Sequence, residues 1–457
     1  MAVLTPRSTI EGLSWPALPE RRGQVILALL GQFEQSQWWP PETLREQQFR
    51  QLELLLRHAA ATVPFYRQRL AEAGIGPRAP VTPELTPELW NRIPVLTRRE
   101  VQGAFEALRS DRIPKSHGRR SLVYTSGSTA TPIKVLKTDI SQLFWQALTV
   151  RDHLWHRRDL GGKLAAIRPT KDNAAAYPDG AQGRSWGRAS DLVFATGPSA
   201  LLDIGSKIDQ QAEWLARQDP DYLVTFPSNL KVLARYCAEH DIRLANLKEA
   251  QSVAELLEPE VREACRAAWE VPVADTYSAQ EVGYIALACH EHASLHVQAE
   301  DVLVEILDDS NRPCAPGEVG QVVVTPLHNF AMPLIRYQVG DLAEVGEPCP
   351  CGRGLPVLSR VLGRLRGMVR LPNGEQHLPN YQDMLKGFDD VIQFQIVRRA
   401  EQELEMKLVM SHQLSADEAQ ELKRRVCERF KHPFAVTFTY HDEIPRGPGG
   451  KFQDYVP

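Results

Sequence analysis

The sequence predicts an α/β protein: a large N-terminal α/β body carrying a β-rich subdomain, followed by a small α+β C-terminal domain. Three observations predict it. Short apolar runs alternate with helical patterns through the first part of the chain, as expected of a largely buried sheet covered by helices. From about Asp301 strand-like runs separated by turns take over. Beyond Gly363 the order is strand, strand, helix, strand over about 95 residues, enough for a small domain with its own core. A chain of 457 residues suits two or three such units.

Taken in order, the first 40 residues are mixed, with Trp15, Trp38, Trp39 and the Pro40-Pro41 pair, and read as an extension packed on the body. After Glu42, TLREQQFRQLELLLRHAAATV has apolar residues at helical spacing, Pro64 should end that helix, and FYRQRLAEAGI reads as a second, short one. The short apolar runs are KLAAIR (163–168), DLVFAT (191–196), YLVTFP (222–227) and VPVADTYS (271–278). Helical patterns at 206–218 and 229–240 lie between them. VLVEILDD, VGQVVVTPL and RYQVGDLAEV form the β-rich stretch. FQIVRR, LEMKLVM, ADEAQELKRRVCERF and AVTFTYHDEI build the last domain.

Composition excludes several classes. Hydrophobic residues make up 43% and charged residues 24%, which is ordinary for a globular protein. A net charge of −4 gives no basic surface for nucleic acid, so any anion must bind at a local site. No apolar run approaches the roughly 20 residues that cross a bilayer, and the N-terminus lacks the apolar stretch of a secretory signal. Seven scattered cysteines do not resemble a disulfide framework. The expectation is a reduced, cytoplasmic protein with no membrane or nucleic-acid partner.

Five motifs carry chemistry. Tyr124-Thr-Ser-Gly-Ser-Thr-Ala-Thr-Pro132 clusters hydroxyls around one glycine, a loop that can wrap a phosphate with N–H and O–H donors. It lacks the Gly-Lys-Ser/Thr ending of a Walker A motif. Asp275-Thr-Tyr-Ser-Ala-Gln-Glu-Val-Gly283 ends an apolar run, where Tyr277 can cover a purine and Glu281 can offer Mg²⁺ a hard oxygen. In Pro333-Leu-Ile-Arg-Tyr-Gln-Val-Gly-Asp341 the final carboxylate can accept from two ribose hydroxyls. Gly363-Arg364 opens the small domain, and Pro445-Arg-Gly-Pro-Gly-Gly-Lys451 holds a lysine on a flexible tether. An ammonium brought into a dry site can stabilise charge developing between a carboxylate and an α-phosphate. Each pattern alone is matched by an ordinary surface turn.

Their order is more specific. The chain resembles the adenylate-forming enzyme superfamily, most closely its phenylacetate–CoA ligase-like branch. Segments at 58–70, 93–101, 225–234, 332–341 and 349–364 carry the branch resemblance, which extends from about residue 42 to Lys451. The resemblance implies ATP-dependent activation of a small-molecule carboxylic acid to acyl-AMP, then transfer to CoA, with an aromatic acid as the family-weighted substrate. It implies an adenylation domain over 1–362 and a mobile C-terminal domain over 363–457. Thr125, Ser126, Gly127, Ser128 and Thr129 would hold phosphates, and Tyr277 and Ser278 would lie against the adenine. Glu281 would bind Mg²⁺, Asp341 the ribose with Arg364 nearby, and Lys451 would act in the first half-reaction. Phe144, Trp145 and Trp155, just after the phosphate loop, offer flat apolar surface for an acid or for the core.

Some positions depart from the family pattern. Arg366 and Gly367 stand where a hinge Asp pair is usual, Gln280 replaces the Thr or Ser before the glutamate, Ala130 replaces the second glycine of the phosphate loop, and Ser278 replaces the glycine after the tyrosine. The hinge change leaves open an amine or a carrier-protein thiol as acceptor in place of CoA, and a non-catalytic nucleotide-binding homologue is the third reading. Separately, Cys289, Cys349 and Cys351 with one imidazole would complete a closed, structural zinc site. Similar sets occur in the resembled branch. His296 is the first choice for the fourth ligand, ahead of His292 and His290.

Overall fold

The computed structural model describes residues 5–75, 85–125, 132–172, 174–364, 369–371, 376–377, 384–385, 387–388, 390–447 and 451–456. Its centre is a 12-stranded sheet. Five strands lie parallel in the spatial order Ser199–Asp203, Leu164–Arg168, Tyr222–Thr225, Glu249–Val253 and Val273–Ala279. Helices Ile208–Gln218, Pro227–Glu239 and Pro259–Trp269 bury their apolar stripes with these strands, around Trp214, Leu230, Leu233 and Val261. Past Val273–Ala279 the sheet turns antiparallel and continues through Gly283–Ala288, Leu295–Val297, Val357–Arg364, Tyr337–Val345, Val319–Pro326 and Val302–Leu307. The α/β body and its β-rich subdomain are therefore halves of one sheet.

The helix read after Glu42 runs Pro41–Thr62, and Pro64 opens the next one, Pro64–Glu72, at a position where no backbone N–H is needed. One expectation fails, and one strand was not read from the sequence. The run 191–196 makes no strand: Phe194 forms only an isolated bridge with Pro6. Leu192, Val193 and Phe194 instead pack on Ile26, Leu30 and Phe33 of a helix, Arg21–Ser36, inside the presumed extension. Gly23 makes this docking possible, since a Cβ there would stand 2.0 Å from the Leu192 carbonyl oxygen. The strand Glu249–Val253 was hidden by its polarity. Its Glu249 pairs with buried Arg158 at 2.6 Å, so a charged residue occupies a central strand without being left unpaired.

The small domain has a separate core of Phe394, Ile396, Leu404, Met406, Leu422, Val426 and Phe430. Its sheet runs Ala435–Tyr440, Glu403–Met410, Val391–Ala400, Tyr455–Val456, covered by helix Ala416–Arg429. That is the order read from the sequence, with the extra C-terminal strand Tyr455–Val456. Among the described residues no helix is long and apolar enough to cross a membrane.

Candidate functional site

The carboxyl ends of the parallel strands form the crevice where α/β sheets take ligands. Tyr277 lies on the last of them, and its hydroxyl donates to Asp341 Oδ2 at 2.8 Å. Asp341 comes from the distant strand Tyr337–Val345 and follows Gly340, whose φ of +93° suits glycine. Opposite Asp341 in register lies Arg364 at the end of Val357–Arg364. Ser278 sits beside Tyr277 and pairs with Tyr284 across the hairpin. The second and third motifs therefore meet, although 64 residues separate Tyr277 from Asp341.

Glu281 occupies the turn of that hairpin, closed by Val282 N–H to the Ala279 carbonyl at 3.1 Å and by Gly283 at φ +127°. It points inward and is 5% exposed. Tyr337 Oη donates to its Oε1 at 3.1 Å, and Arg98 Nη1 stands 3.6 Å from the same oxygen. The Glu281 carboxylate can offer a hard cation such as Mg²⁺ an oxygen ligand. Burial, with the glutamate as the next cause, pushes the Tyr337 phenol well above its ordinary range. It therefore stays protonated and acts as a donor.

Sequence reasoning missed both Arg98 and Tyr337. Arg98 opens helix Arg98–Gly103 behind a Thr97/Glu100 capping box, and Leu96 pairs with Arg336 and Gln338, which brings the helix to Glu281. Both residues lie within branch-like segments, 93–101 and 332–341, but nothing in either segment names the glutamate as partner. The arginine of the third motif, Arg336, is structural. It is 2% exposed, pairs with Glu305 at 3.0 Å and donates to the Ile93 carbonyl at 2.8 Å.

Thr125 follows the first strand of a hairpin, Arg120–Tyr124 with Lys134–Thr138, and its Oγ1 accepts the Ile133 N–H at 2.9 Å. Ser126, Gly127, Ser128 and Thr129 lie outside the described residues, as do Arg366 and Gly367. The loop is thus bracketed by a two-stranded sheet at its base.

The C-terminal tail comes back to this edge. Gly447 N–H donates to the Lys451 carbonyl at 3.0 Å. The next residue, Phe452, donates its N–H to Glu255 Oε1 at 2.7 Å, just past strand Glu249–Val253. Arg446 donates to Ser228 Oγ at 2.8 Å, just past Tyr222–Thr225. Lys451 is therefore seated at the carboxyl edge of strands neighbouring the one that carries Tyr277.

A second constellation lies away from the crevice. One ligand atom from each of Cys289, His296, Cys349 and Cys351 falls within 4.8 Å of the others. Cys289 follows strand Gly283–Ala288, His296 is in Leu295–Val297, and both cysteines of the Cys-Pro-Cys turn precede Val357–Arg364. Cys349 Sγ is 3.8 Å from Cys289 Sγ, and Cys351 Sγ is 3.4 Å from His296 Nε2. Tetrahedral Zn²⁺ with bonds of about 2.3 Å to sulfur and about 2.0 Å to nitrogen requires edges of about 3.8 and 3.5 Å. The donor set fits that ion. Burial pushes the Cys289 thiol up to about 11 and the His296 imidazole down to about 4, so the ring is neutral, as a metal ligand must be. All seven cysteines are free thiols. The segment just after helix Arg21–Ser36 and the end of helix Asp139–Trp155 brace this turn: Gly354 N–H donates to the Gln37 carbonyl, and the Arg353 guanidinium lies over Trp38 and Trp155.

The aromatic trio separates. Trp155 is a core residue, edge-on to His296, while Phe144 stacks on His328 at 3.9 Å and Trp145 lines a pocket beside Val282 and Gly283.

Comparison with known proteins adds the following. Residues 374–456 match the family described as the CapK C-terminal domain. The phenylacetate-coenzyme A ligase of Thermus thermophilus is 25% identical over 452 residues, covering 91% of this chain and 96% of that relative. Its counterpart from Pseudomonas putida is 24% identical, with 72% of each chain covered. Among solved structures, 2-hydroxyisobutyryl-CoA ligase in its postadenylation state with 2-HIB-AMP is 21% identical, with a TM-score of 0.72 and coverage of 93% of this chain and 91% of that one. Against the thioesterification state of the same enzyme, with 2-HIB-AMP and CoA, identity is 20% and the TM-score is 0.58, at the same coverage.

Proposed function

The chain has the fold of the adenylate-forming ligases and resembles their phenylacetate–CoA ligase-like branch, and from that premise we propose that it uses ATP to convert a carboxylic acid to its acyl-adenylate and then to a CoA thioester. One observation carries the reading most directly. The Phe452–Glu255 hydrogen bond of 2.7 Å holds the lysine-bearing tail just past a strand that neighbours the one carrying Tyr277, which supports a lysine acting at the nucleotide.

In this reading the body, 1–362, binds nucleotide and acid, and the small domain, 363–457, delivers Lys451. Thr125 and the loop residues Ser126, Gly127, Ser128 and Thr129 donate to phosphate oxygens. Tyr277, held by Asp341, covers the adenine beside Ser278, while Asp341 accepts from the ribose and Arg364 stands near it. Glu281 would hold Mg²⁺, which supplies charge neutralisation at the phosphates, and Arg98 and Tyr337 fix its carboxylate. Lys451 places an ammonium where charge builds between the attacking carboxylate and the α-phosphate, an interaction stronger in the transition state than in the ground state. Cys289, His296, Cys349 and Cys351 would hold a structural Zn²⁺, whose full shell leaves no position for a reacting water.

CoA is the favoured acceptor because the two relatives of 25% and 24% identity are phenylacetate-coenzyme A ligases. An amine or a carrier-protein thiol is the alternative, motivated by Arg366 and Gly367 at the hinge. The joint presence of Glu281, Asp341, Arg364 and Lys451 disfavours a non-catalytic role. The deciding experiment is acid-dependent pyrophosphate release over a panel of carboxylic acids, with CoA, amines and hydroxylamine supplied in turn. Release with an acyl-CoA product supports the reading. Release with an amide in place of a thioester moves the acceptor, and no release with any acid removes the adenylation chemistry.

A further inference from the structure

The stretch that leads into the phosphate-loop hairpin concentrates positive charge. Over residues 112–120 Arg112, Lys115, Arg119 and Arg120 are all exposed, and no acid lies among them. The whole chain has a net charge of −4, so this stretch runs against the rest of the molecule. Among the described residues none of the four cations makes an ion pair. The neighbouring acids are engaged otherwise: Asp111 pairs with Arg67 at 2.8 Å, and Asp139 accepts the Arg119 backbone N–H at 2.9 Å. His117, in the short helical turn Lys115–His117, packs its ring on Phe330 at 4.6 Å and anchors the stretch to the body. The charges share one region. Burial first, and then His117, Arg112 and Arg120 together, hold the His58 imidazole below its ordinary range.

The hairpin continues this patch toward the nucleotide. In strand Arg120–Tyr124 the residues Arg120, Leu122 and Tyr124 share one face, and Lys134 of the second strand lies opposite Tyr124. That face is open to solvent: Leu122 is 43% and Tyr124 53% exposed. Tyr124 adjoins Thr125, where the loop proposed for the phosphates begins. At about 3.3 Å per strand residue, Arg120 stands about 17 Å from Thr125. A run of charge by itself is usually a solvated face. This one is unpaired, and it runs on into an exposed apolar strip that ends at the phosphate loop.

A ligand that matches this order has a polyanionic end, an extended arm and a reactive tip. ATP places its phosphates at the loop itself and leaves the far end of the hairpin unused. CoA fits the whole length. Its 3′-phosphoadenosine diphosphate brings about four negative charges to the four cations. Its pantetheine arm, two amide units on a largely apolar chain, spans about 15 Å when extended. Guanidinium groups suit the phosphates, since each can donate two parallel hydrogen bonds to one of them. We propose that Arg112, Lys115, Arg119 and Arg120 form the site for the 3′-phosphoadenosine diphosphate end of CoA, with the pantetheine arm laid along Leu122 and Tyr124. The proposal rests on the CoA-acceptor reading and supplies the binding site which that reading leaves unassigned.

The test compares CoA with dephospho-CoA, which lacks only the 3′-phosphate, as acceptors at saturating ATP and acid. In the wild type KM should be about 10-fold or more lower for CoA, an advantage that shrinks as salt is raised. The double variant Arg119→Gln/Arg120→Gln should bring the two KM values together. Arg119→Lys/Arg120→Lys, which keeps the charge, should retain part of the difference. Pyrophosphate release trapped by hydroxylamine without CoA should stay at the wild-type rate in both variants, which separates a lost acceptor site from a lost fold. Equal KM for CoA and dephospho-CoA in the wild type overturns the proposal while leaving CoA as acceptor. A difference that the neutral variant leaves unchanged also overturns it. If no thioester forms with CoA, or no acid releases pyrophosphate, the acceptor or the adenylation reading fails on its own account. Calorimetry with CoA and dephospho-CoA then decides the site: tighter binding of CoA that the neutral variant abolishes upholds it, and any other result overturns it.

Discussion

The body and the small domain hold their site residues in opposite ways. In the body each side chain is fixed by a partner from a distant part of the chain: Tyr277 by Asp341, Glu281 by Tyr337 and Arg98. The small domain has a core of its own and meets the body through part-buried polar contacts such as Arg446 to Ser228, Phe452 to Glu255 and the long Arg235 to Val391 contact of 3.5 Å. Single contacts of this kind contribute only about 1 kcal/mol each. One region is preorganised and the other is docked, which is the division the proposed reaction requires, its lysine arriving for one step and leaving for the next.

The sharpest way to break this comparison is through the Cys/His cluster, which belongs wholly to the body. Cys349→Ser should remove bound zinc and lower the melting temperature by about 10 °C or more, because binding energy of a structural metal is folding energy. The small domain should retain its hydrogen-exchange protection. Metal analysis showing well under one equivalent of zinc in wild-type protein purified without chelator would overturn the assignment. Lys451→Ala should act the other way, leaving stability unchanged while pyrophosphate release falls about 10²-fold or more, as on losing one oxyanion donor. Unchanged release would take the lysine out of the chemistry.

Docking itself is tested at Glu255. Glu255→Ala removes the acceptor of the Phe452 N–H and the partner of Arg446, and release should fall about 10-fold with ATP affinity intact. Asp454 supplies the pH dependence. Burial first, and the Glu255 charge second, raise it to about 6 from the ordinary 3.8. The folded state therefore binds more protons than the unfolded one between those values, so this residue's contribution is fully present below about pH 4 and is lost as pH rises through 6. The melting temperature of wild type minus that of Asp454→Asn should fall across this window. A difference that is flat or rising with pH would exclude that role.

What could be read from the sequence divides along similar lines. Strand ends, the last domain's order of elements and the four metal-binding candidates were legible, since each depends on local period or on residue type. Glu249–Val253 was not, because its glutamate is neutralised by Arg158 from another element. The Arg98–Glu281 and Tyr337–Glu281 contacts were equally hidden. Each joins segments far apart in the chain, and a motif states which residues are present without stating which of them meet. The helix Arg21–Ser36 was missed for a different reason: its docking depends on the absence of a side chain at Gly23, a signal that looks like a helix breaker.

The smallest expected effect isolates preorganisation within the body. Tyr277→Phe keeps the ring that would cover the adenine and deletes only the hydroxyl that donates to Asp341 at 2.8 Å. Two outcomes compete. If the phenol mainly orients the carboxylate toward ribose, the variant should raise KM for ATP about threefold to tenfold, the worth of one hydrogen bond, with kcat little changed. If the phenol instead competes with the ribose for Asp341, its removal should lower that KM. The first is expected, because a carboxylate has acceptor sites for the tyrosine and both ribose hydroxyls together. A fall in kcat at constant KM would fit neither, and would place Tyr277 in the chemical step in place of nucleotide binding.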